Sequence, residues 1–259
     1  MNTLKKILTV YWKPNSDLAI LALSWVLVVG AIYTATNIIG RELWGGIGYF
    51  LFYAVLGALL CGVGLPLYWM TVVRQRPLAD LGITAQHWRV SLPLQLVLSL
   101  LLYVPAFWNA QLPPLEQVIP LVFLALAIGL FEAIFWRGWV QLRLEEAFGI
   151  LPGILLASLL YALYHIGYGM PASEMVFLFF VGLLYALTFR ITRSILVLYP
   201  LFQPLGQLKT LLTDQLTLPL LSALGFAEVW IGILALIWLA RRYYQKRQRT
   251  SQPASSFAA

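Results

Sequence analysis

Eight stretches of this sequence are apolar for about the length a helix needs to cross a bilayer. They cover roughly 18–39, 46–73, 90–108, 117–147, 150–168, 174–190, 194–213 and 220–240. A hydrocarbon core about 30 Å thick takes about 20 mostly apolar residues in a helix. The runs are continuous, with no strict in-and-out alternation, so they read as helices and not as strands of a barrel. The expected fold class is therefore all-α: a polytopic transmembrane helical bundle of about eight spans. Composition agrees, since 61% of residues are hydrophobic and 10% charged, against about 25% charged in soluble domains. This excludes a soluble enzyme, a disordered chain, a collagen-like chain and a disulfide-stapled secreted domain.

The formal charge of +7 does not call for nucleic acid as a partner, because its placement follows topology. With the N-terminus inside, the inner segments carry 14 Lys and Arg, and the outer segments carry only Arg41 and Lys209. Such an asymmetry sets orientation and places both termini in the cytoplasm. The expected layout is a cytoplasmic N-terminal segment at 1–17, one transmembrane domain at 18–240, and a basic, disordered cytoplasmic tail at 241–259. The first span is too long for a signal-peptide core and reads as retained. The tail from Arg241 to Arg249 suits anionic membrane lipid, though a stop-transfer anchor explains it equally. The end of the fourth run, from Gln141 to Phe148, is amphipathic and reads as a helix emerging into water.

Ionisable groups inside spans are expensive, which makes them functional candidates. Glu132, Arg137 and His165 stand out. Gly149 and its neighbours form a turn between the fourth and fifth runs. Glu132 lies 17 residues before Gly149 and His165 lies 16 after it. In an antiparallel helical hairpin both sit roughly 25 Å from the turn, at about 1.5 Å rise per residue. A carboxylate facing an imidazole can hold a water and take its proton. It can also be a buried pair that ties two helices together. Tyr161 shares a helix face with His165 and can orient a side chain or substrate, or simply pack. Gln203 and Gln207 are four apart on one face, in a helix that Pro200 and Pro204 interrupt. Their amides can donate to a peptide carbonyl or its oxyanion, or can join helices. No metal and no cofactor are expected. Cys61 is the lone cysteine, there are two histidines, His87 and His165, and no His-Glu-x-x-His motif occurs.

The stretch Glu132-Ala-Ile-Phe-Trp-Arg137-Gly138, followed by Tyr161-Ala-Leu-Tyr-His165, resembles the CPBP family of membrane proteins. This is the CAAX-protease and bacteriocin-processing family, also called Abi. Its first motif is Glu-Glu-x-x-x-Arg, usually followed by Gly, and its second is an aromatic, three residues, then His. The segment Arg76-Pro-Leu-Ala-Asp80-Leu81-Gly82-Ile83 is similar to the family's short cytoplasmic stretch after an early span. The resemblance covers about residues 74 to 210.

It implies an intramembrane, metal-independent glutamate-type endopeptidase acting on a membrane-associated or prenylated substrate, in a bacterial plasma (inner) membrane. Glu132 would be the base, His165 would position and activate the water, and Arg137 would hold the motif helix in place. Two departures mark a divergent member. The second motif glutamate is Ala133, so Arg137 must find another partner: Glu132, a backbone carbonyl, or solvent by snorkelling. The family's later His-x-x-x-Asn is replaced by Gln203-Pro-Leu-Gly-Gln207. Losing a well-placed oxyanion donor costs about 10²–10³ in rate. A catalytically impaired relative, acting as scaffold or chaperone for a transmembrane protein partner, is therefore the rival expectation.

Overall fold

In the computed structural model the described residues are 3–40, 46–108, 110 and 112–251. They form helices and turns, with no strand among them. Arg41, Glu42 and the tail beyond Ser251 lie outside the described residues.

Among the described residues seven helices are long and apolar enough to cross a membrane: α1 (Ser16–Ile39), α2 (Ile47–Val73), α3 (Trp88–Phe107), α4 (Leu115–Phe148), α5 (Ile150–Tyr168), α6 (Ala172–Thr192) and, later in the chain, α8 (Ser222–Thr250). The protein is a multi-pass integral membrane protein. α4 is the hub: 67% of its apolar window is buried inside the bundle, against 17% in α3 and in α8. The outer helices turn Leu100, Leu101, Phe177, Phe180 and Leu224 outward, as helices facing lipid do.

The run at 194–213 departs from expectation. It holds a 3₁₀ turn at Ile195–Val197 and then a 12-residue helix, α7 (Phe202–Thr213). At about 1.5 Å per residue α7 is too short to span the core. Pro200 and Pro204 explain the break, although they do not kink a longer helix. Pro200 precedes α7, and Pro204 sits in its first turn, where a backbone N–H has no partner inside the helix anyway.

The chain nevertheless makes an eighth passage. Ser194 donates its hydroxyl to the carbonyl of Thr84, and the Ile195 N–H bonds the Gly82 carbonyl, at the end of the bundle where α3 begins. α7 starts beside the middle of α4 and runs toward the other end. α8 then returns parallel to α2, its Gly225 near Phe50, its Gly232 near Leu59 and its Leu236 near Gly64. At the N-terminus, Tyr11 and Lys13 bond the carbonyls of Phe148 and Ala147. Both described ends of the chain thus lie at one end of the bundle.

The end of α4 does not emerge into water as its pattern predicts. Gln141, Arg143 and Glu145 are buried, with neighbours meeting most of their polar groups, although Gln141 Oε1 and Arg143 Nε have no hydrogen-bond partner among the described residues. Gln141 donates to Glu145 and to the Ala186 carbonyl. Arg143 donates to the Asp80 carbonyl and pairs with Glu146 at 3.0 Å. Arg76 pairs with Glu146 at 2.8 Å and with Asp80 at 2.7 Å. The bonds Arg76 donates to Glu146 raise its pKa above the ordinary value. Buried Asp17 lies 3.0 Å from Arg74 and 3.8 Å from Arg143. This network binds α1, α2, the 76–83 segment and α4 into one polar layer.

Candidate active site

Two glycines let other elements reach α4 closely. A Cβ on Gly129 would meet the Pro204 ring at 2.7 Å, so α7 presses on α4 one turn before Glu132. A Cβ on Gly138 would overlap the Leu81 carbonyl, so the 3₁₀ turn at Leu78–Leu81 presses on α4 just after Arg137. From just after Glu132, Ala133–Gln141 forms a wide π-helical stretch, as Thr34–Ile39, Leu51–Gly64 and Trp69–Val73 do elsewhere in the bundle.

Glu132 is 1% exposed. Three donors from two neighbouring elements hold its carboxylate. Tyr164, at the end of α5, donates its hydroxyl to Oε1 at 2.5 Å. From α7, Gln203 and Gln207 donate their amides to Oε2 at 2.7 and 2.8 Å. The two glutamines are thus brought to Glu132 itself. A carboxylate offers about four lone-pair positions. Both on Oε2 are taken, and Oε1 has one remaining.

His165 is buried beside this cluster without a hydrogen bond to Glu132. Its Nδ1 lies 2.9 Å from the Tyr161 carbonyl. A carbonyl only accepts, so Nδ1 carries the proton and Nε2 is left as an acceptor. The ring packs 4.2 Å from that of Tyr164. Tyr164 is the residue sequence reasoning missed. It is three residues from Tyr161 and shares its face, which was the available signal. Level matching along a regular hairpin pointed one residue too far. The π-helical stretch puts more residues into each turn, so Glu132 stands opposite Tyr164.

Arg137 is fully buried, and its Nε, Nη1 and Nη2 make no hydrogen bond among the described residues. It donates a hydrogen bond neither to Glu132 nor to a backbone carbonyl, and it does not reach solvent. Its guanidinium lies over the Tyr161 ring, 5.4 Å from the centroid, and its charge is felt by Glu132, Tyr161 and Tyr185. Tyr161 therefore presents its ring to the cation, and its edge-on contact with Trp136 at 5.6 Å fixes the ring's place. On the far wall, the hydroxyls of Tyr103 and Tyr185 lie 3.3 Å apart. Both face Gly206, which stands between the two glutamines in α7.

Among the described residues no three His, Cys, Asp or Glu side chains come together as a metal-binding group. The arrangement offers an anchored carboxylate, an imidazole acceptor and a buried cation. Those are tools for proton transfer and for stabilising negative charge.

Residues 114–200 match the family model described as type II CAAX prenyl endopeptidase Rce1-like. The matched region contains Glu132, Arg137, Tyr161, Tyr164 and His165, and it ends before Gln203 and Gln207. Comparison with curated proteins and with solved structures returned no match. The match over 114–200 takes in both motifs and the buried carboxylate, and over that third of its length the chain is similar to the CAAX prenyl endopeptidase family.

Proposed function

We propose that the protein hydrolyses a peptide bond in a membrane-associated or prenylated substrate, with Glu132 as general base. The observation that carries this reading is the state of the Glu132 carboxylate. It is sealed from bulk solvent, held by Tyr164, Gln203 and Gln207, and left with one acceptor position on Oε1. A water donating there, and donating its other proton to Nε2 of neutral His165, would be oriented for attack. Glu132 takes a proton from that water as its oxygen bonds to the carbonyl carbon. The C–N bond then breaks, and the proton passes from Glu132 to the leaving amine. The products are a carboxylic acid and an amine. General-base assistance of this kind contributes about 10²–10⁴ in rate.

The excess of Lys and Arg at the end where both described termini lie supports a cytoplasmic placement of that end, in a bacterial plasma membrane. A second reading, a scaffold for a transmembrane partner, is favoured by one observation: the family's carbonyl-side positions, Gln203 and Gln207, are both bound to Glu132.

The test is hydrolysis of a library of prenylated and unprenylated peptides by the protein in proteoliposomes, read by mass spectrometry. Glu132→Gln and His165→Ala are measured alongside. Loss of cleavage in both is the expected result. Undiminished cleavage by Glu132→Gln refutes the base assignment. No cleavage by the wild-type chain, with a stable crosslinked membrane partner, selects the scaffold.

A further inference from the structure

Arg137 is fully buried in the bundle interior and makes no hydrogen bond among the described residues. Burying a guanidinium without hydrogen-bond acceptors is costly, and membrane interiors retain such charges where they serve function. Its nitrogens donate to no described group, and the contacts it has are a ring face and two through-space attractions. The amide oxygen of Gln203, Oε1, is likewise buried without a partner, while the same amide's nitrogen is bonded to Glu132. An unpaired donor cluster and an unpaired acceptor therefore flank one carboxylate. A peptide unit is their chemical complement, since its C=O accepts and its N–H donates.

We infer that Arg137 is the carbonyl-side donor of this site: its guanidinium hydrogen-bonds the scissile C=O and stabilises the oxyanion formed when water adds. This rests on the endopeptidase reading and changes which residues do which work. The two departures from the family motif then become one exchange. Gln203 and Gln207 each give one amide proton to Glu132, which fixes their side chains against the base, and the second proton of each has no acceptor among the described residues. Ala133 leaves Arg137 without the carboxylate that a glutamate four residues earlier would supply. Arg137 transfers no proton. It donates hydrogen bonds that strengthen as charge develops on the oxygen, which raises kcat more than it lowers KM. Gln203 Oε1 accepts from the adjoining N–H and fixes the peptide's direction.

A clasp and an oxyanion donor respond oppositely to removal of the charge. Arg137→Met keeps a long apolar side chain and deletes the cation. If the guanidinium held the helices together, the variant would melt lower. If it is retained for chemistry, melting is unchanged or raised, because a buried unpaired charge has gone.

The experiment measures kcat, KM and Tm for wild type, Arg137→Met, Arg137→Lys and Glu132→Gln in proteoliposomes, on a peptide the wild type cleaves. Arg137→Met should lose about 10²–10³ in kcat with KM within a few-fold, and its Tm should not fall. Arg137→Lys should keep an intermediate rate. Retained kcat in Arg137→Met, or loss accompanied by a lower Tm, overturns the inference. Failure of the two ideas is separable. Inactive Glu132→Gln beside fully active Arg137→Met removes only the Arg137 role. Active Glu132→Gln removes only the base assignment, and Arg137→Met still decides its own case. A wild-type chain that cleaves nothing removes both.

Discussion

Gln203 and Glu132 should show strong non-additivity when both are replaced by leucine. Each is 1% exposed, and their hydrogen bond is 2.7 Å long. A hydrogen bond to a charged group contributes about 1.5–3 kcal/mol. Neutral interhelical bonds in bilayers average about 0.6 and reach about 1.7 kcal/mol. The carboxylate and the depth favour the overlap of these ranges, so Gln203→Leu alone should cost about 1.5–2 kcal/mol. In a Glu132→Leu background the sign changes. The Gln203 amide then has lost its acceptor, and a buried unsatisfied group costs about 1–3 kcal/mol. Removing it there should be neutral or stabilising. The coupling energy is therefore about 2–3 kcal/mol, at the upper end of what contacting residues show. Equilibrium unfolding in bicelles by SDS titration, on the four proteins of the cycle, measures it. Additivity within about 0.5 kcal/mol would refute the claim that this bond pins α7 to α4.

Two further outcomes follow from other contacts. Tyr164→Phe keeps the ring against Trp136 at 4.8 Å and against His165 at 4.2 Å, and deletes only the hydroxyl on Oε1. Unfolding should register a loss of about 1–2 kcal/mol with helix content unchanged, and an equally stable variant would show that the bond is not formed in the bilayer. Asp17→Ala removes the carboxylate 3.0 Å from Arg74 and 3.8 Å from buried Arg143. Leaving Arg143 less compensated should cost about 3–5 kcal/mol, read as a lower melting temperature, whereas an unchanged midpoint would make the polar layer a bystander.

Much of the bundle was legible in the sequence because lipid imposes a simple rule. Backbone polar groups must be satisfied within the span, so a long apolar run becomes a helix. Seven of the eight runs obey it. The run at 194–213 fails because Pro200 interrupts it before α7 begins at Phe202, and length alone carries no sign of that. The emergent end of α4 fails for another reason. An amphipathic pattern shows that a polar face needs partners, and does not say whether water or Arg76, Asp80 and Ala186 will supply them.

Three of the buried ionisable groups could be named from the sequence, since few charges interrupt the spans, whereas buried Asp17, Arg143 and Glu145 could not. Glu132, Arg137 and His165 are the ones that lie around one site. Their pairing could not be read. It depends on which helices press together at Gly129 and Gly138, on the extra residue per turn in Ala133–Gln141, and on the direction in which each side chain leaves its helix. Hydrogen bonds act over about 3 Å, while spacing along a helix locates a side chain only to within about a turn. The chain by itself therefore determined a membrane bundle with a carboxylate, a cation and an imidazole in its interior. Only the packed helices decided that two glutamines and Tyr164 hold the carboxylate and that the arginine donates to no neighbour. Those contacts are set by three-dimensional fit between elements far apart in sequence.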